Sequence, residues 1–201
     1  NVRAAAVLAF AEMKEACTMN HLLLALVDEE PNVRMVAAEA LGEVGGELAV
    51  NSLMIALKDQ NQWVKCAALR SLGMLKVAGS EPAIAELAAQ SDGLVLIAAL
   101  RTLLEINAES ARLLSIKALE HNDDEVVKTA IEILAKIDDH WIDELSPRLL
   151  FHKQWGIRSI FVKALAEHRG TAALPLLKSA LETEPDDFVR HQIMDLMGKL
   201  S

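Results

Sequence analysis

A period of 31 residues runs through this chain and limits its fold more than any other feature. Val33-Arg34 is followed by Ala37, Ala40, Leu41 and Val44. One period on stand Val64-Lys65, Ala68, Ser71, Leu72 and Leu75, then Val95, Ala99, Thr102, Leu103 and Ile106. The same step gives Val126, Ala130, Ile133, Leu134 and Ile137, then Ile157-Arg158, Phe161, Ala164, Leu165 and His168. Backwards it gives Val2-Arg3, Ala6, Ala9, Phe10 and Met13. A last copy, Val189-Arg190, Ile193, Leu196 and Met197, is displaced by one inserted residue. Inside each copy the apolar positions recur every three or four residues, which is one face of an α-helix.

A second helix precedes each of these except the first. Its marker row is Leu26, Leu57, Ala88, Leu119, Leu150 and Leu181. One turn earlier lie Leu22, Leu53, Ile84, Ser115, Ser146 and Leu177. Each unit is therefore a helix pair, A then B. A pair this short cannot bury both faces alone, so it must stack on its neighbours. The expected fold is all-α: a right-handed alpha-alpha superhelix of about six and a half helix pairs, a HEAT-like or armadillo-like solenoid. Residues 1–201 read as a single solenoid, expected to be a segment of a longer chain.

The turns agree with this. Glu30, Asn61, Asp92, Asp123, Gln154 and Asp186 share one place before helix B, where Asn and Asp accept from free backbone N–H groups. Pro31 suits the first turn of a helix. Gly45-Gly46, Gly79 and Gly170 fall in B-to-A turns. Pro147 and Pro175 are expected inside A helices, with kinks.

Composition fits the same picture. Alanine and leucine supply about three residues in ten, and both favour helices. Aromatic residues are only 3%, as closely stacked helices require. A net charge of −9 argues against a general nucleic-acid binder, which needs a basic footprint. No apolar run approaches the ~18 residues that span a bilayer, so no membrane insertion is expected. Cys17 and Cys66 are too few for a disulfide scaffold and suit a reducing, cytoplasmic setting.

The stretch from Asn32 to Gly45, NVRMVAAEALGEVG, resembles the HEAT-like repeat of the phycobilisome-lyase type, as does AVNSLMIALKD from Ala49 to Asp59. The resemblance extends over essentially the whole chain, but through core and turn residues. It implies a helical-repeat fold and, for most such chains, a plain interaction module. It also raises a bilin-lyase-like subunit, which attaches or detaches an open-chain tetrapyrrole together with a partner.

In solenoids of this kind helix B is expected to line the concave face. The positions between the core rows then form a groove of Met35, Glu39, Cys66, Arg70, Met74, Ile97, Arg101, Lys128, Glu132 and Lys163. Soft apolar side chains beside arginines suit a protein or peptide partner. Equally, the apolar members complete the core and the charges form a solvated face. Acids crowd the A-to-B turns, where they either steer a basic partner or cap and pair locally with Arg3, Arg34, Lys65, Arg158 and Arg190. Trp63, Trp155 and Trp141 are expected to pack between repeats rather than serve as binding anchors.

Chemistry finds little support. Asp138, Asp139, His140, Asp143 and Glu144 run round a turn and read as solvated, not metal-binding. HEAT-like deoxyhypusine hydroxylases hold iron with His-Glu dyads, whereas this chain has Glu120-His121 and Glu167-His168 in reversed order. Alkylpurine DNA glycosylases of similar fold need a basic groove, and the groove here is mixed in sign. Cys66 has no histidine in the neighbouring groove rows and reads as a small buried hydrophobe. The expected function is a non-catalytic protein- or peptide-binding scaffold with no cofactor and no metal. The first helix, apolar nearly all round, is expected to be covered by further repeats or another subunit.

Overall fold

The computed structural model describes residues 2–13, 18–138 and 140–201. Cys17 and Asp139, singled out above, lie outside the described residues. The described residues form helices α1 (Val2–Met13), α2 (Thr18–Ala25), α3 (Pro31–Val44), α4 (Glu47–Ala56), α5 (Gln62–Met74), α6 (Glu81–Ala89), α7 (Gly93–Ile106) and α8 (Ala108–Ala118). They continue as α9 (Asp124–Ile137), α10 (His140–Leu149), α11 (Trp155–Arg169), α12 (Leu174–Thr183) and α13 (Asp187–Leu200), with short 3-10 turns before α6 and α12. No strand occurs among them. Odd-numbered helices are the B helices and even-numbered ones the A helices. The fold is thus all-α and of HEAT/armadillo-like type. Its contacts divide it into two compact units, Asn1–Leu114 and Ser115–Ser201.

In the first unit the B helices stack directly, α1 on α3, α3 on α5 and α5 on α7, while the A helices α2 and α4 touch only sparsely. Small residues permit this. Ala37, Ala38, Ala40, Ala67, Ala68 and Ala99 are all buried. Gly42 lies so close to α5 that a Cβ there would stand 2.5 Å from Ser71 Oγ. The Ser71 hydroxyl in turn donates to the Ala38 carbonyl at 2.9 Å, so the polar atom enters the seam satisfied. Leu22, Leu53 and Ile84, one from each A helix, are fully buried against this wall. Each contributes roughly 1.5–3 kcal/mol relative to exposure.

The second unit repeats the scheme. α11 packs against both α9 and α13. Phe161 at its centre is fully buried, with Trp141 edge-on at 5.8 Å. Leu177 and Ser146 occupy the place held by Leu22 and Leu53 in the first unit, and both are buried.

The six expected turn residues are the six N-caps of α3, α5, α7, α9, α11 and α13. Asn61, Asp123 and Asp186 accept a backbone N–H through the side chain. Glu30, Asp92 and Gln154 do not. A second column tightens the same turns from outside. Arg34 donates to the Asp28 and Glu29 carbonyls of its own turn and to Asp59 of the next repeat. Arg158 does the same with the His152 and Lys153 carbonyls and with Glu184. Arg3 pairs with Asp28 and Glu29. Asp28, Glu29, Asp59 and Glu184 therefore pair locally.

Several expectations need correction. Pro175 sits in the first turn of α12, where a missing N–H is harmless, not inside the helix; Pro147 is inside α10. Val44 is exposed, because α3 ends there and the chain turns away at Gly45. Val2, Ala6 and Ala9 are exposed rather than core, since no A helix precedes α1 among the described residues, and Val7 is buried. Trp141 packs inside as expected, and Trp155, though 51% exposed, meets Phe188 of the next repeat edge-on at 5.6 Å; Trp63 is 55% exposed.

Candidate partner-binding cleft

A cleft of about 680 Å³ opens on the B-helix face of the first unit. Its size is that of a small-ligand or peptide-anchor pocket. The stacking of α3, α5 and α7 brings equivalent residues side by side, so the cleft is built in layers one helical turn apart. Trp63 and Leu94 stand at the A-to-B turn end. Met35, Cys66 and Ile97 form the next layer, and Glu39, Arg70 and Arg101 the one after. Met74, Glu105 and Lys76 close the far end, over a floor containing Gly73, Ala98 and Thr102.

The small floor residues follow from the tight seam. A Cβ on Gly73 would approach Thr102 Cγ2 to 3.3 Å, and the Thr102 hydroxyl is occupied by the Ala98 carbonyl at 2.9 Å. Apolar side chains supply the walls. Met74 is 60% exposed and Leu94 also faces solvent, so the cleft is unfilled by the protein itself. Arg70 Nη1 donates to Glu39 Oε1 at 2.9 Å across α3 and α5. Both side chains are well exposed, so this bond adds little stability and yields readily to a competing carboxylate.

Cys66 forms part of the cleft wall but is itself buried, and its thiol donates weakly to the Leu94 carbonyl at 3.8 Å. Burial pushes the thiol pKa above its usual value, against the smaller opposing influence of Arg70 and Lys65. A thiol held protonated is a poor nucleophile.

Seven of the residues assigned to a groove from the repeat pattern line this cleft: Met35, Glu39, Cys66, Arg70, Met74, Ile97 and Arg101. Lys128, Glu132 and Lys163 belong to α9 and α11 of the second unit and are not part of it. There Lys128 bonds Glu125 at 2.7 Å with its stem over Gly156, and Lys163 lies 3.9 Å from Glu167. Trp63, Leu94 and Lys76 were not legible as cleft residues. The first two stand at helix starts, where a large apolar residue usually packs inward. Among the described residues no group of three or more His, Cys, Asp or Glu could hold a metal ion. None of the described helices is long and apolar enough to cross a membrane.

The helix-pair stacking and this groove define the class of α-solenoid repeat proteins. The family model for HEAT repeats matches residues 1–73 and 112–197, and the chain belongs to that family. Similar solved structures agree. The complex of CpcE and CpcF of phycocyanin lyase from Nostoc sp. PCC7120 contains a chain 25% identical, covering 99% of this chain and 89% of its own length, with a TM-score of 0.58. An archaeal HEAT-like repeats protein from Thermococcus onnurineus NA1 is 15% identical over 96% of this chain and 92% of its own, with a TM-score of 0.56. The Escherichia coli protein YibA is 20% identical over 92% and 70%, with a TM-score of 0.64. No curated protein sequence matches significantly.

Proposed function

We propose that this chain is a non-catalytic scaffold that binds a protein or peptide through the cleft of its first unit. The observation that carries this reading is the cleft itself: soft apolar walls beside two arginines, on the B-helix face of the first unit. Met35, Met74 and Ile97 would bury an apolar anchor, and Arg70 and Arg101 would pair with acidic groups of the partner. The exposed Val2 and Leu8 of α1 offer a second surface for another subunit. The free thiol of Cys66 suits a reducing cytoplasm. The test is a photo-crosslinking residue at Met74, compared with one at the exposed Ile55 of α4. One defined protein adduct should form from position 74 alone and vanish when Arg70 and Arg101 become Glu. Equal adducts from both positions, or indifference to the charge reversal, would disprove the assignment.

A second reading rests on one finding, the likeness to a phycocyanin lyase chain over 99% of this sequence. In that case the chain works as one subunit of a chromophore lyase. Incubation with phycobilin, apo-antenna protein and a partner subunit, followed by visible absorption, decides it. Absence of colour transfer removes this reading and leaves the scaffold.

A further inference from the structure

Lys76 is the one non-glycine with a positive φ among the described residues, at 49°. It stands one repeat after Gly45, whose φ is 70°. Both residues end a B helix. The Lys76 N–H donates to the Gly73 carbonyl and the Val77 N–H to the Leu72 carbonyl, which closes α5 in the left-handed manner that glycine meets without strain. A lysine gains nothing locally there, since its Cβ crowds the backbone. Strained positions that persist call for a role of the side chain elsewhere. Here the side chain lines the cleft, beside Met74 and Glu105.

The charges of the cleft point the same way. Arg70, Lys76 and Arg101 face Glu39 and Glu105, a surplus of one positive charge in a chain of net charge −9. The opposite end, at Trp63 and Leu94, is apolar. From Trp63 to Met74 the helix rises about 16 Å. The cleft is thus polarised along the B-helix axes, with a greasy end at the turns and a half from Arg70 to Lys76 that carries both signs and one net positive charge.

We propose, resting on the cleft reading above, that Lys76 is a specificity residue of this cleft. It selects a peptide whose acidic residue lies two to three helical turns from a bulky apolar one. The apolar side chain enters at Trp63 and Leu94, and the carboxylate meets Lys76 with Arg70 and Arg101 behind it.

A short-peptide library displayed on phage, selected on the purified chain, supplies the probe. Selected peptides are then measured against the wild type, Lys76→Gly and Ile97→Glu, with thermal melts of each protein. The expected peptides pair an aromatic or leucine with a distant acid. Lys76→Gly should melt higher, because glycine relieves the left-handed strain, yet bind roughly three- to tenfold more weakly, the loss of one charged contact. Unchanged affinity in Lys76→Gly, or peptides without the acid, overturns the proposal while leaving a binding cleft. Unchanged affinity in Ile97→Glu, or no peptide selected at all, overturns the cleft reading with it. A purely structural lysine would show the higher melt without the weaker binding.

Discussion

Arg34 reaches one repeat forward to Asp59, donating from Nε at 2.7 Å and from Nη2 at 3.0 Å. Both side chains are largely covered, and the same guanidinium holds the carbonyls of Asp28 and Glu29 behind it. One residue thus ties the turn of its own repeat to the turn of the next. Asp59 Oδ1 also accepts the Asn61 N–H at 2.8 Å. The carboxylate therefore shapes its own turn while it pairs.

The hydrogen bond from Arg34, ahead of all other causes, holds the Asp59 pKa below its ordinary 3.8. A carboxylate whose folded pKa is lowered adds stability above its unfolded pKa, and that stability is lost as pH falls through the folded value. Asp59→Asn should cost about 2 kcal/mol at pH 7 and less below pH 4. Urea titrations at the two pH values read this directly. An equal loss at both would show that the pair contributes nothing through charge.

Among the described residues Arg158 and Glu184 form the most covered ion pair, with 7% and 2% of their side chains exposed. Glu184→Gln should destabilise by about 3–5 kcal/mol, because it leaves a buried cation half-paired. Replacing both, as Arg158→Met with Glu184→Leu, should cost far less. Denaturant midpoints of the single and double variants settle the comparison.

The turn acid gives way to histidine where the arginine is replaced by an aliphatic residue, and to Gln90 after Lys65. Asp28, Asp59 and Glu184 each accept the backbone N–H two residues on. In the same column His121 and His152 accept it through Nδ1, at 2.9 and 3.2 Å. One repeat before them, the arginine column holds Leu96 and Val127. With no arginine reaching forward from the preceding repeat, a neutral imidazole supplies the acceptor without a charge. Val127→Arg and His152→Asp should each destabilise alone, and together recover at least about 1 kcal/mol in a double-mutant cycle. Strict additivity would deny the exchange.

Burial lowers the His152 pKa from 6.5, outweighing Asp124, which raises it; Lys153, Arg148 and Arg158 lower it further. Protonation also removes the acceptor that holds the Gln154 N–H. For a histidine with a lowered folded pKa, the unfolded chain takes up the proton first, so stability falls as pH drops below about 6.5. His152→Asn should flatten the stability profile between roughly pH 5 and 7, read by thermal melts across that range. A profile as steep as the wild type's would mean that another group carries it.

Alanine is the better helix former, yet Gly42→Ala should destabilise by about 1–3 kcal/mol. Its Cβ would meet Ser71 Oγ at 2.5 Å and the Ser71 backbone at 3.0 Å, forcing α3 and α5 apart. Gly198 in α13 has nothing within 4 Å of a built Cβ, so Gly198→Ala should raise stability by up to about 1 kcal/mol. Melting temperatures moving in the same direction would contradict the close seam.

Period and side-chain type carried most of the fold. The A-helix row from Leu22 to Leu177 and the six N-caps could be read because identical demands recur at a fixed spacing. So could the shared face of Met35, Cys66, Arg70 and Ile97, since helical geometry places those residues on one side. Trp63 was not readable, because exposure depends on how far the neighbouring helix end reaches past it. Lys76 was not readable either, since a backbone dihedral leaves no trace in residue type when the residue is not glycine. His152 was hidden for a third reason: its likeness to Asp59 is one of acceptor geometry, not of charge.

The forward reach of Arg34 has a consequence for how such a chain lengthens. Each repeat of this kind carries a plug at the start of its B helix and a socket in the turn before it. A tandem copy of any stretch bearing both would mate with its template and with the repeats on either side, with no new chemistry required. A copy pairing Val127 with a following acid would leave that socket empty. Growth by duplication is therefore easy within the arginine-acid series and within the aliphatic-histidine series, and is discouraged at the joins between them.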